Sequence, residues 1–363
     1  MADTVTRTHA YDALPLAPPA DLELPVPGER LGSPKHNGVG EWSTYLGTRA
    51  LQRTLGVLPR PLFRAATACG ARAARLASPK RTRIARDFVR TALPHLDRRA
   101  VDRLVLGTWR HMFEVTVTFD RMFDVLLQGT IGDHFDLETS APFDALCTEE
   151  ARAARRAGGK GVLFVGTHGG YWEAAAPLLS ALGFRPLYVV GKPPRNHPMA
   201  LYVQRKREQP GMVMLGRRGA MKHVPAVLRA GGCVVLLLDQ RARKRPIWSD
   251  FFGRPAATDR SVGVLVRRLR APVVFAGCYG TQERYRYRMR FQTVVEPDEL
   301  AGLSPEEVVD RVQRESEQLI LTAPEQYFWL HDRFKGSPPR PTPPGEAPEP
   351  APERPSEPAL PTR

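Results

Sequence analysis

Between residues 161 and 280 the apolar positions come in short continuous runs rather than in alternation. GVLFVG (161–166), PLYVV (186–190), MVML (212–215), CVVLLLD (233–239) and PVVFAGCYG (272–280) form the set. Runs of this length are what strands buried on both faces require. The stretches between them, YWEAAAPLLSALG (171–183), 198–207, 220–229 and 261–269, read as helices, the first stopping at a glycine. This order predicts an α/β fold with a mostly parallel sheet and helices on both faces. RYRYRMRFQTVVE (284–296) instead alternates Arg with aromatic or apolar residues, which predicts a half-exposed strand, antiparallel at an edge. Val101, Leu104, Val105, Trp109, Met112, Phe113 and Val117 mark the buried stripe of helices over 97–127, and a last helix over 305–322 precedes PEQYFWLHDRFK (324–335). There is no internal repeat. The longest strong apolar run, 234–238, is far shorter than the roughly 18 residues of a membrane-crossing helix.

The two ends lack such patterning. Residues 1–40 carry Pro, Gly and polar residues without periodicity, and 336–363 are dominated by Pro and Glu, so both are expected to be disordered. Composition agrees: 42% hydrophobic and 25% charged residues in 363 fit an ordinary folded core, read here as one domain over 41–335. The opening MADTVTRTHAYDALPLAPP lacks the basic start and apolar run of a secretory signal, and the expectation is a cytoplasmic chain. The four cysteines are far apart without a C-x-x-C pair, which argues against a zinc site or a disulfide framework.

Charge adds a partner class. Lys and Arg number 53 against 38 Asp and Glu, a formal +15, which seeks nucleic acid, anionic lipid or an acidic carrier protein. From Trp42 to Arg86 ten Arg and Lys residues interleave with apolar ones and no acid occurs. Within 41–90 this predicts basic amphipathic helices lying on an anionic membrane surface, the alternative being core helices with a basic solvated face.

His168 follows the first strong strand and precedes a helix, the strand-end position where open α/β sheets collect reactive groups. The positive end of that helix's dipole disfavours imidazolium and keeps the ring neutral, as a general base requires. Glu173 lies five residues on. On one ideal helix the pair would stand about 140° apart, so they meet only if the chain folds back through Gly169 and Gly170, both free to take positive φ. Glu173 would then hold one ring nitrogen and leave the other for a substrate hydroxyl. The alternative is a capping histidine and a surface glutamate. No G-x-S-x-G elbow is present, which disfavours covalent serine catalysis, and Cys233 and Cys278 read as core.

THGGYWE (167–173) resembles the H-x-x-x-x-D/E motif of glycerolipid acyltransferases, in the Glu version found in the bacterial lipid A biosynthesis acyltransferase family. RRGAMKHVPAVLRAGGCVVLLLDQ (217–240), FFGRPAATDRSVGVLVRRLRAPVVFAGCY (251–279) and PEQYFWLHDRFK are similar to that family's successive blocks. The resemblance covers about 42–335. It implies an α/β domain on the cytoplasmic face of the inner membrane. Its implied reaction moves an acyl chain from acyl-carrier protein or acyl-CoA to a hydroxyl of a glycolipid, without a metal or redox cofactor. By resemblance His168 is the general base and Glu173 its partner. Arg205, with Lys206 and Arg207 beside it as alternatives, binds phosphate or the developing oxyanion, and Asp239 and Gln240 form the D-Q pair, Asp239 orienting Arg205 or a substrate amide. Phe251 and Phe252 line an acyl slot or simply pack. The basic stretch after Trp42 stands where many members carry a hydrophobic anchor, implying peripheral attachment, and the loop RARKRP (241–246) is basic enough to face a phosphorylated acceptor, anionic lipid or carrier protein. The expected acceptor is a lipid A precursor, with a phosphatidylinositol mannoside or a lysophospholipid as alternatives. A basic nucleic-acid-binding protein, suggested by +15 and by the Arg-aromatic alternation at 284–290, lacks a binding motif, and an inactive scaffold is disfavoured by the presence of both His168 and Glu173.

Overall fold

The protein is described by a computed structural model covering residues 4–18, 23–29, 31, 38–158, 160–217, 219–243 and 246–338. The five continuous apolar runs become β3 (Leu163–Gly166), β4 (Leu187–Gly191), β5 (Met212–Gly216), β6 (Cys233–Leu237) and β9 (Val273–Gly280). They lie parallel in the order β9-β3-β6-β4-β5. The pattern of β3 explains its lack of polar positions. Phe164 belongs to one core layer with Leu178, Leu179 and Phe184, whereas Leu163 and Val165 belong to the opposite layer with Val224, Val227 and Val266. Helices therefore cover both faces, as expected.

The other side of the sheet departs from the sequence reading. β10 (Tyr287–Val295) is antiparallel to β9 but is not an edge, because β2 (Phe135–Thr139) pairs with it in parallel and β1 (Thr6–Thr8) then pairs antiparallel with β2. Arg286 meets Asp136 at 2.7 Å and Arg290 meets Glu138 at 3.2 Å, so the acidic positions of β2 take up the charges that made β10 look solvent-facing. The same pairing occupies the arginines of the strand that, together with the +15 charge, suggested the nucleic-acid reading. Part of 1–40 is likewise ordered: β1 is a strand, Leu16 and Val26 are buried, and the Tyr188 hydroxyl donates to the Val26 carbonyl at 2.6 Å. Isolated anchors between prolines leave no periodicity to read. Residues 1–3, 19–22, 30 and 32–37 of that segment, and 339–363 of the expected C-terminal tail, lie outside the described residues.

The basic stretch forms three helices, α1 (Val39–Gly56), α2 (Arg60–Ala77) and α3 (Pro79–Ala92), packed on the single long helix α4 (Arg98–Leu126). Leu55, Phe63 and Ala71 are buried, while Trp42, Leu46, Val57, Leu62 and Leu76 are exposed. The helices thus contribute to the core and also carry apolar groups into solvent. Among the described residues no helix is long and apolar enough to cross a membrane.

A hairpin separate from the main sheet, β7 (Pro246–Phe251) and β8 (Arg254–Asp259), follows β6. Its turn places Phe252 and Gly253 at φ 53° and 69°, the twist that two-residue hairpins favour. Buried Arg333 holds the hairpin by donating to the Ala257 carbonyl at 2.6 Å and to Thr258 Oγ1 at 2.8 Å.

The connection leaving β3 runs toward β4 through the helix Ala175–Ala181 in one core layer. The connection leaving β6 returns to β9 through the helix Arg260–Leu269 in the other. Neighbouring strands whose connections depart on opposite faces leave a crevice at their C-terminal ends.

Candidate active site

His168 lies two residues beyond β3 and Asp239 two beyond β6, and the register that sets Gly166 beside Leu237 brings them together at that crevice. The ring Nδ1 is 2.7 Å from Asp239 Oδ1, and the His168 backbone N–H donates to Oδ2 at 2.9 Å. Both carboxylate oxygens are therefore engaged by one residue. Asp239 is only 1% exposed. Burial alone would raise its pKa, but the facing ring and the hydrogen bonds from His168 outweigh burial and hold the carboxyl below its ordinary range. An ionised carboxylate only accepts, so Nδ1 carries the proton and Nε2 is left as the basic nitrogen. This is the base-and-orienter arrangement of a catalytic triad without a serine.

The carboxylate that meets the His168 ring is thus Asp239 and not the expected Glu173. Glu173 sits in a short 3-10 turn, Trp172–Ala174, and its carboxylate is clamped by Arg207, Nε to Oε2 at 3.0 Å and Nη2 to Oε1 at 2.5 Å. Trp172 Nε1 adds a donor at 3.2 Å. The expected Arg205 is exposed on the same helix, His197–Glu208, whereas Arg207 faces Glu173. Two residues on a helix differ by about 200° in direction, so only one of the two can face inward. Burial alone would lower the Arg207 pKa, but the Glu173 charge beside it holds the guanidinium above its ordinary value.

The loop between base and turn is tightly held. Gly170 alone of the two glycines takes positive φ, 61°, and a Cβ there would stand 1.9 Å from the Cys278 carbonyl oxygen. Its N–H donates to the Gln326 carbonyl at 2.9 Å, and the Tyr171 N–H donates to the Cys278 carbonyl at 2.6 Å. His111, buried on α4, bonds the Gly170 carbonyl through Nε2 at 2.9 Å. Burial pushes this ring down to about 4, so it is neutral and donates from Nε2. Phe328 N–H closes the loop from the other side on the His168 carbonyl at 3.1 Å.

His168, Glu173, Arg207 and Gln240 line one cavity of about 400 Å³ whose wall is otherwise largely apolar, including Leu179, Val189, Met212 and Val235. Phe251 and Phe252 do not line it. They pack with Phe88 and Trp329 in a separate aromatic core, so of the two expectations it is core packing and not a place in this cavity that the structure shows. Sequence reasoning placed Arg205 first, with Lys206 and Arg207 as its neighbouring alternatives, and missed His111 and His331. His331 accepts from the Arg241 N–H through Nε2 at 3.0 Å and is pushed down to about 4 by burial, fixing the start of the basic loop beside the site. The only sequence signal for it was its place in the 324–335 block. Residues 244 and 245 of that basic loop lie outside the described residues. Among the described residues no group of three His, Cys, Asp or Glu side chains stands where it could hold a metal ion.

A histidine bonded to a buried carboxylate thus stands at the crevice of an open α/β sheet and opens on a largely apolar cavity. The chain belongs to the bacterial lipid A biosynthesis acyltransferase family, whose model matches residues 32–336. It is similar to the lipid A biosynthesis palmitoleoyltransferase of Escherichia coli (strain K12) and to the lipid A biosynthesis acyltransferase of Shigella flexneri. Each is 27% identical over 183 residues, which cover 49% of this chain and 57% of the relative.

Proposed function

We propose that the protein is an O-acyltransferase moving a fatty acyl chain from an acyl-carrier-protein or acyl-CoA thioester to a hydroxyl of a membrane glycolipid, a lipid A precursor. The observation that carries this reading is the His168–Asp239 pair at 2.7 Å in the wall of an apolar cavity. His168 Nε2 takes the proton of the acceptor hydroxyl as its oxygen attacks the thioester carbonyl. The tetrahedral oxyanion then collapses, the carbon–sulfur bond breaks, and the proton on Nε2 passes to the departing thiolate. No acyl-enzyme forms.

The backbone N–H groups of His168, Gly170 and Tyr171 are already bonded within the protein, so they do not serve as the oxyanion donors. Arg207 gives Nε and Nη2 to Glu173, and its Nη1 is the part of the guanidinium left to meet the developing charge. Glu173 in this reading aims Arg207. The lipid A acceptor is supported by the family and by the names of the relatives. Attachment is peripheral, on the cytoplasmic face of the inner membrane, through the exposed apolar residues and arginines of α1 and α2 meeting anionic lipid.

The test is acyl transfer by membranes containing wild type or His168→Ala, given labelled acyl-carrier protein or acyl-CoA and a panel of glycolipid acceptors. The expected result is transfer by wild type and a loss on the order of 10²-fold or more in the variant. Equal rates for the two would overturn the mechanism, and no use of either donor with any acceptor would overturn the function.

A further inference from the structure

A second cavity, of about 300 Å³, lies behind the His168 loop, with Tyr171 and His111 in its wall. The rest of the wall comes from the start of α2, from α4, from the turn between β9 and β10 and from Glu325 and Gln326. Five guanidiniums and three carboxylates line it. Two of the arginines are neutralised by acids, Arg110 by Glu114 at 2.9 Å and Arg286 by Asp136 at 2.7 Å. The other three meet no carboxylate among the described residues. Arg60 donates to the Gln282 carbonyl, Arg284 donates to the carbonyls of Gly56 and Leu58 at 3.2 and 3.1 Å, and the Arg64 side chain has no partner among the described residues. Carbonyl contacts orient a guanidinium without cancelling its charge. Glu283 and Glu325 also line the cavity, so it suits a singly charged anionic group better than a polyanion.

The surroundings say where such an anion would come from. Arg284 lies 3.9 Å over the ring of Phe63 in the cavity wall and ties the cavity to the α1–α2 junction. That junction carries Val57, 70% exposed, and Leu62, 56% exposed. Apolar side chains in solvent beside a pocket of uncompensated guanidiniums match a lipid, with its chains on the apolar groups and its phosphate at the arginines.

We propose that this cavity binds the phosphodiester headgroup of a phospholipid, with Arg60, Arg64 and Arg284 as the phosphate ligands and Val57 and Leu62 against the acyl region. It is a site apart from the acyl-transfer cavity. It rests on the membrane placement proposed above and not on the acyl-transfer chemistry.

The experiment is co-sedimentation of the full chain with phosphatidylcholine vesicles containing or lacking phosphatidylglycerol, for wild type, Arg60→Gln/Arg64→Gln, and Arg72→Gln/Arg83→Gln. The last pair removes the same charge from exposed positions on α2 and α3 outside the cavity. All four arginines are exposed, and circular dichroism checks that folding is unchanged. A cation near an anionic surface contributes about fivefold in affinity by diffuse attraction alone. The control pair is therefore expected to lose no more than about 30-fold on phosphatidylglycerol vesicles, and the cavity pair to lose clearly more. Glycerophosphoglycerol, a singly charged phosphodiester, should release wild type from the vesicles but leave the cavity variant unaffected, while an equal ionic strength of chloride should not distinguish the two. Equal losses in the two double variants would overturn the cavity site and leave membrane placement standing. Failure of wild type to bind any vesicle would overturn both.

Discussion

The imidazole of His168 and the carboxylate of Asp239 meet at 2.7 Å across 71 residues of chain. They leave the ends of two adjacent parallel strands, so the pair is assembled by the sheet and not by the loop that carries the histidine. In Asp239→Asn the side-chain amide can donate to Nδ1, which moves the ring proton to Nε2 and leaves no basic nitrogen toward the cavity. Acyl transfer should fall on the order of 10²-fold or more with the far-ultraviolet spectrum unchanged. The double variant with His168→Ala should be no slower than the slower single, because both remove one function. A rate near wild type for Asp239→Asn would show that the base works without its orienter.

Glu173 and Arg207 form a largely buried pair, 9% and 20% exposed at the side chains. Removing one charge of such a pair strands the other, at a cost of about 3–5 kcal/mol. Glu173→Gln and Arg207→Met should each lower the urea midpoint strongly. The combined variant should recover much of the loss, since neither charge is left alone. Its acyl transfer should remain low, because the guanidinium beside the general base is gone. Recovery of activity together with stability would assign the pair a purely structural role.

Acid should act on this fold well above the carboxylate range. His111 and His331 are pushed from 6.5 down to about 4 by burial. Between those values the unfolded chain binds more protons than the folded one, so stability rises with pH through that window and falls as pH drops across it. Below about 4 the two contributions level off. Urea unfolding at a series of pH values should show this slope, reduced in His111→Gln and in His331→Gln. A slope unchanged in both variants would mean that neither ring is held neutral by the fold.

Gly170 and Gly169 look alike in sequence but not in the structure. A Cβ at Gly170 would meet a backbone carbonyl at 1.9 Å, with φ at 61°, whereas at Gly169 its nearest neighbour is Thr167 Oγ1 at 3.1 Å. Gly170→Ala should therefore cost well over the about 1 kcal/mol of an unfavourable φ and displace His168, losing both stability and acyl transfer. Gly169→Ala should be the milder of the two in thermal unfolding and in rate. The reverse order would mean that the loop shifts without cost.

These contrasts mark how far the chain could be read. The parallel strands were legible because burial on both faces leaves an unbroken apolar run, and His168 and Asp239 were legible as strand-end residues. Their pairing was not, because it depends on which strands are neighbours, and β6 enters the sheet between β3 and β4 only after two further crossovers. Glu173 was the local alternative, and Arg207 takes it. The run Arg205, Lys206, Arg207 hides which residue faces inward until the helix has a partner. β2 escaped notice because its acids make it look like a loop, although they pair with the arginines of β10. The β7–β8 hairpin was hidden by a turn that sets a phenylalanine, Phe252, at positive φ.

The cavity wall offers a test of what the site accepts. Leu179 is 2% exposed, lies on the helix that follows the His168 loop, and lines the cavity together with the proposed general base. If the apolar part of the cavity holds the acyl chain, Leu179→Trp fills volume along the chain without touching His168, Asp239 or Arg207. The variant should lose long-chain transfer while keeping transfer of shorter chains, because the change acts on binding of the tail and not on the proton transfer. Inserting a large ring into a packed wall costs about 1–3 kcal/mol, so folding is checked by thermal unfolding alongside. The readout is the mass of the acylated product when donors of several chain lengths compete. A rate that falls equally for every length would place the acyl chain elsewhere, and a shift toward the shorter donors would identify this wall as the one that measures it.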